Sequence, residues 1–179
     1  MNKIKIDNLI SIVQEYNVED ISLITKAYEL ADNLHSGQIR ESGEPYITHP
    51  LNVAYTLAQM HADKDTICAA LLHDTLEDTN ICKEELAELF GRDVANLVDG
   101  VTKISKMNFS SKKEQNNANT RKIIKGLTKD LRIILIKLAD RLHNMNTLQF
   151  KKPEKQKENA IETMELFVPL AQAIGAYQI

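Results

Sequence analysis

His73, Asp74, Glu77 and Asp78 bring an imidazole and three carboxylates into six consecutive residues. On one helix, positions i, i+1, i+4 and i+5 fall within an arc of about 140°, with His73 stacked over Glu77 and Asp74 over Asp78. The preceding run, Thr66-Ile67-Cys68-Ala69-Ala70-Leu71-Leu72, is almost wholly apolar, so this helix is expected to enter the core. Carboxylates emerging from a buried helix are costly unless protonated, paired or bound to a cation. Two further candidate ligands lie far off in sequence: His49, next to Pro50, and Asp140, after the apolar run 133–139. His49, His73, Asp74 and Asp140 make a mixed nitrogen and oxygen set, suited to a divalent transition metal with positions left open for water.

The elements that must position these residues are helices. Ile21, Ile24, Ala27, Tyr28, Ala31 and Leu34 form one stripe, with Asp20 as a cap. Gly37, Gly43 and Pro45 then impose a loop over 36–48. Pro50 suits the first turn of a helix facing inward through Val53, Ala54, Leu57 and Met60. Leu86, Leu89 and Phe90 line a short helix that Gly91 stops, and Val94, Ala95, Val98 and Val101 continue the pattern. Residues 103–120, rich in Lys, Ser and Asn, are expected to form a loop. The run 131–139 has a strand's composition, but helical spacing carries on through residue 148 and no partner strand is evident. Pro153 opens a last long helix with Ile161, Met164, Phe167, Val168 and Ala171 inward. The fold class is therefore all-α, a bundle of about eight helices. On the helix over 130–148, Leu138, Leu142 and Met145 share one face and Asp140, His143, Asn144 and Thr147 the other. A polar stripe continuing from a buried turn should line a cavity.

A chain of 179 residues suits one domain over 1–179. Its net charge of -3 gives no reason to expect nucleic-acid binding. No apolar run approaches the roughly 18 residues of a membrane span, and the amino terminus lacks a signal-peptide segment. Cys68 and Cys82 read as reduced thiols of a cytoplasmic protein.

Arg40, Ser42-Gly43-Glu44-Pro45-Tyr46-Ile47, His49-Pro50, Leu71-Leu72-His73-Asp74, Glu77-Asp78-Thr79, the run 97–103 and the run 137–145 occur in a fixed order. Together they resemble the hydrolase domain of RelA/SpoT-type alarmone enzymes, part of the wider HD phosphohydrolase superfamily, from about residue 20 to the end. The resemblance implies a manganese-dependent hydrolase, with another divalent transition metal as the substitute. Its reaction removes the 3′-pyrophosphate from ppGpp or pppGpp, yielding GDP or GTP and pyrophosphate. It implies that His49, His73, Asp74 and Asp140 hold the metal, and that Glu77 and Asp78 position and deprotonate the attacking water. Arg40, Ser42, Tyr46, Asn144 and Thr147 would frame the guanosine nucleotide. The cation's part is to generate a nucleophile at neutral pH and draw charge from the phosphoryl oxygens. Neutral imidazoles and ionised carboxylates are expected to leave the centre net positive. Glu77, one turn beyond His73, sits where a general base belongs. His35, His61 and His143 are read as structural, with His143 best placed to support a ligand from behind.

Three features depart from the family pattern. Glu41 stands where a basic residue often follows the arginine, and an extra negative charge there should weaken nucleotide binding unless it points to solvent. Asn146 replaces a frequent Arg. No nucleotidyl-transfer domain follows, so the chain reads as a stand-alone hydrolase or as the hydrolase part of a longer protein, the latter predicting exposed apolar surface near Ile174 and Ile179. Lys103, Arg121 and Lys122 are candidate phosphate contacts. Two other functions fit the residues less fully: an HD phosphohydrolase acting on another nucleotide, and a non-catalytic alarmone-binding regulatory module.

Overall fold

The apolar stripes fold as helices around one central segment. The structure is a computed structural model and describes residues 4–16, 21–105 and 130–176. Its regular elements are α1 (Ile6–Glu15), α2 (Ile21–Leu34), α3 (Thr48–Gln59), α4 (Lys64–Leu72), α5 (Thr75–Asp78), α6 (Lys83–Phe90), α7 (Arg92–Ser105) and α8 (Arg132–Asn146). A 3-10 turn over Leu148–Phe150 leads to α9 (Pro153–Glu162), a π-helical turn (Thr163–Phe167) and α10 (Val168–Ile174). Counting α4 with α5 and α9 with α10, which run on through short breaks, the described residues make eight helices. The all-α expectation holds, and an isolated bridge between Ile39 and Pro45 is the extended pairing among the described residues.

The apolar run before His73 forms α4, and every residue from Thr66 to Leu72 is buried. Asp63 caps it by accepting a hydrogen bond from the Thr66 amide at 2.9 Å. Small side chains at Cys68, Ala69 and Ala70 let α2, α3, α7 and α8 approach from all sides. Gly100 of α7 does the same for α8, because the Ile133 side chain occupies the space a Cβ would need. From Arg132 onward the run 131–139 is helical, buries Ile134, Ile136, Leu138 and Ala139, and so carries Asp140 into the interior. Pro50 lies in the first turn of α3, where its missing amide hydrogen costs nothing, and the same turn buries His49.

Three expectations need correction. His73 and Asp74 do not share one continuous helix with Glu77 and Asp78; the chain breaks between α4 and α5. The cause is local: His73 Nδ1 lies 2.8 Å from the Ala70 carbonyl and Thr75 Oγ1 donates to the Leu72 carbonyl at 2.7 Å. Both side chains take up carbonyls of the last α4 turn. Ile161 and Met164, expected inward, are 43% and 66% exposed, whereas Phe167 is buried as expected, together with Leu166 and Leu170. The π turn inserts a residue between Ile161 and Phe167, so the two no longer share the face that a 3.6-residue repeat would give them. Finally, the segment expected as a loop from 103 starts inside α7, which runs to Ser105. The rest of that loop, with Arg121 and Lys122, lies outside the described residues, as do Asp20 and Ile179.

Candidate metal centre and active site

His49 from the first turn of α3, His73 and Asp74 from the α4–α5 break, and Asp140 from α8 converge on one point. His49 Nε2 lies 3.2 Å from Asp140 Oδ1 and 3.7 Å from Asp74 Oδ2. His73 Nε2 lies 3.2 Å from Asp74 Oδ2 and 3.9 Å from Asp140 Oδ1. One donor atom each from His49, His73 and Asp140 fits within 4.8 Å of the others, and all three residues are buried. Asp74 joins them from the side through its contacts to both imidazoles.

The donor set fits a divalent cation for a specific reason. A carbonyl oxygen only accepts, so the Ala70 contact makes Nδ1 of His73 the protonated nitrogen of the neutral ring. Among the described residues its Nε2 is then left buried without a hydrogen bond, since Asp74 Oδ2, although near, lies outside hydrogen-bond geometry. An orphaned buried nitrogen among carboxylates is what a metal ligand looks like before coordination.

The charges agree. Burial works against ionisation of Asp140, but the Lys137 ammonium at 2.7 Å and the two imidazoles hold its carboxyl well below the usual range. Burial likewise opposes Asp74, and His73 and His49 hold it down. Burial lowers His49, outweighing Asp140 beside it. At His73 burial also disfavours the charged ring, yet Asp74 and Asp140 prevail and push it up to about 9. Two ionised carboxylates around Nε2 call for positive charge at that point, as a proton or as a metal cation.

Above this floor opens a cavity of about 400 Å³. Its walls carry Arg40, Ser42, Tyr46, Glu77, Asp78, Asn144 and Thr147, so the residues expected to hold the metal, handle the water and frame the nucleotide surround one space, with His73 beneath it. Arg40, Ser42 and Tyr46 come from the loop before α3. That loop is folded back by Tyr46 N–H donating to Gln38 O and Arg40 N–H to Glu44 O, with Gly43 at φ 82° in the turn. Ser42 Oγ is buried with no partner among the described residues, a hydroxyl left over for something in the cavity. Arg40 donates to Asn144 Oδ1 at 3.0 Å, and Asn144 Nδ2 donates to Asp140 Oδ1 at 2.6 Å. The Tyr46 hydroxyl lies 2.7 Å from Asp74 Oδ2 and 3.1 Å from Asp78 Oδ2. Burial and these two carboxylates raise its pKa, so the phenol keeps its proton and acts as the donor.

The departures find places too. Glu41 lies 3.5 Å from Lys151 at the rim, so its charge is paired. Asn146 faces a different cavity, between α3 and α8, rather than this one. Lys103 binds Asp99 at 2.7 Å and does not line the cavity. Lys137, Ile39, Phe150 and Lys151 escaped the sequence reasoning. Only Lys137 left a signal: a lone cation in an apolar run, three residues before Asp140.

The sequence pattern of the HD domain family matches residues 27–177. The bifunctional (p)ppGpp synthase/hydrolase SpoT of Escherichia coli K12 is 48% identical over 174 residues, covering 97% of this chain and 25% of that protein. The guanosine-3′,5′-bis(diphosphate) 3′-pyrophosphohydrolase of Haemophilus influenzae is 49% identical over 150 residues, 84% of this chain and 22% of its own length. This chain thus spans about a quarter of the length of the curated relatives it matches. Among solved structures, a metazoan ortholog of SpoT that hydrolyses ppGpp and plays a role in starvation responses superposes with a TM-score of 0.67 at 29% identity, covering 83% of this chain and 85% of that one.

Proposed function

The chain belongs to the HD domain family, and on that premise we propose that it is a manganese-dependent pyrophosphohydrolase of the guanosine alarmones ppGpp and pppGpp. Residues 1–179 act as one hydrolase domain, working in the cytoplasm on the nucleotides of the stringent response. The observation that carries the reading is the orphaned Nε2 of His73 among two carboxylates and a second imidazole, on the floor of a cavity rimmed by Glu77 and Asp78. His49, His73, Asp74 and Asp140 would hold the cation. When bound, it supplies a water nucleophile at neutral pH and a Lewis acid for the phosphoryl oxygens.

The protein's own residues do the rest. Glu77 is exposed to the cavity, one turn beyond His73, and takes the proton of the attacking water. Asp78, with Tyr46 at 3.1 Å, shares that task. The water oxygen bonds to the phosphorus attached to the 3′ oxygen and the P–O3′ bond breaks. Pyrophosphate departs, and the pair returns a proton to the nucleotide. Two carboxylates cancel a divalent charge, so the ligands alone do not leave the centre net positive. Lys137, ion-paired with Asp140 at 2.7 Å, adds the positive charge that a polyanionic substrate needs. Ser42 Oγ, Arg40, Tyr46, Asn144 and Thr147 frame the nucleotide, and exposed Ile39 and Phe150 cover its base at the mouth.

The test is pyrophosphate release from ppGpp with manganese, beside Glu77→Gln, Asp78→Asn. Rapid release that the double variant loses by a factor of about 10² or more supports the reading. A folded, manganese-loaded protein that releases nothing from ppGpp or pppGpp, but cleaves another nucleotide, overturns the substrate.

A further inference from the structure

A second imidazole stands behind one of the two in the metal centre. His143 Nδ1 lies 2.8 Å from His49 Nδ1, with the ring centroids 4.9 Å apart. Two nitrogen lone pairs do not face each other at that distance, so one proton lies between them. If His49 Nδ1 carries it, His49 Nε2 keeps its lone pair and faces Asp140 Oδ1 and Asp74 Oδ2 as a neutral ligand. If His143 Nδ1 carries it, the neutral His49 ring must bear its own proton on Nε2, aimed at Asp140, and cannot ligate.

We propose that His143 is a positioning residue that accepts the Nδ1 proton of His49 and so selects the ligating tautomer of that histidine. The inference rests on the reading of His49, His73, Asp74 and Asp140 as a metal site. The two ligand histidines are thereby oriented by different means. His73 donates to a backbone carbonyl, which can never return a proton, so its tautomer is set by α4 itself. His49 depends on a side chain 94 residues away that is itself able to donate or accept. The surroundings of His143 suit a neutral ring, the form that can accept at Nδ1. It lines the separate cavity of about 420 Å³ between α3 and α8, whose other walls, among the described residues, include Asn52, Tyr55, Gln59 and Asn146 and no charged residue. With no carboxylate in those walls, nothing there pairs with a charged His143, which could not accept. Leu142 and Thr147 line the same cavity, and the Thr147 hydroxyl donates to the His143 carbonyl at 3.2 Å, fixing the backbone at this turn.

The decisive measurement uses the whole chain loaded with zinc. Imidazole nitrogen NMR should show a protonated His49 Nδ1 with scalar coupling across the hydrogen bond to His143 Nδ1. Cobalt titration followed by visible absorption supplies the second readout. His143→Leu fills the space without an acceptor and should bind cobalt roughly 10–100-fold more weakly, the usual cost of losing such an outer partner. His143→Asn places an oxygen near the position of Nδ1 and should bind close to wild type. His143→Gly opens the site to the α3–α8 cavity, so added imidazole should restore its cobalt affinity while leaving the wild type unimproved. A His49 Nδ1 that is unprotonated or uncoupled in the zinc form overturns the proposal, even if the Leu variant does not fold. So does a folded Leu variant with wild-type cobalt affinity. A wild-type chain that binds neither metal removes the metal-site reading and this inference with it.

Discussion

Replacing Lys137 by Met tests whether the metal centre is built around a charge that the protein itself must balance. Lys137 Nζ lies 2.7 Å from Asp140 Oδ2, with the two side chains 12% and 10% exposed. At an effective dielectric near 20, the direct attraction at that distance is roughly 6 kcal/mol before desolvation. Breaking a buried pair by removing one partner leaves the other uncompensated and costs about 3–5 kcal/mol. Asn144 still donates to Asp140 Oδ1 at 2.6 Å, which keeps the expected loss at the lower end, about 3 kcal/mol. With a urea slope of about 2–3 kcal/mol/M, the metal-free variant should unfold roughly 1–1.5 M earlier than wild type. A bound cation supplies the missing charge, so in manganese the loss should shrink to about 1 kcal/mol. The difference closes a thermodynamic cycle: the variant should bind manganese about 2 kcal/mol, or some 30-fold, more tightly than wild type. The assay is paired urea unfolding in chelator and in manganese, with the affinity measured separately. A metal-free loss below about 1 kcal/mol, or equal losses in both states, would refute the charge-balance account.

Stripping the metal from wild type should lower its melting temperature. At a hundredfold excess of ligand over Kd the cation adds about 2.7 kcal/mol, which for a domain of this size is roughly 5–10 °C; calorimetry that detects no shift would exclude a folded-state site. In the metal-free protein, His73 is pushed up to about 9 from its ordinary 6.5, so its proton contributes stability fully below about pH 6.5 and loses that contribution as pH rises through 9. Stability in chelator should therefore fall as pH rises across that window, and a flat profile counts against the carboxylates around His73. Tyr46→Phe keeps the ring stacked 4.4 Å from His35 but removes the hydroxyl that meets Asp74 and Asp78. Turnover on ppGpp should fall at least about tenfold, equivalent to about 1.4 kcal/mol, with a smaller change in KM; unchanged turnover would take Tyr46 out of the reaction.

Much of the site was legible because its parts are local. His73, Asp74, Glu77 and Asp78 lie within six residues, and almost any helical path keeps them on one side. The α4–α5 break was not foreseen, since a periodic pattern does not report whether His73 and Thr75 will bond to the backbone instead of facing outward. The turned faces of Ile161 and Met164 have a similar origin, because a π turn leaves no mark on hydrophobic spacing until the register slips.

By itself, the sequence determined the all-helical class, the burial of α4 and α8, and which side chains could ligate, since these depend on residue type and periodicity alone. Only the tertiary structure decided which atoms of those side chains do the work. Whether His49 offers Nε2 depends on His143, and whether Asp140 stays ionised depends on Lys137 and on burial by the helices around it. The tautomer of a ring and the charge of a buried carboxylate are set by what lies within about 3 Å in space, and spacing along a chain does not carry that distance.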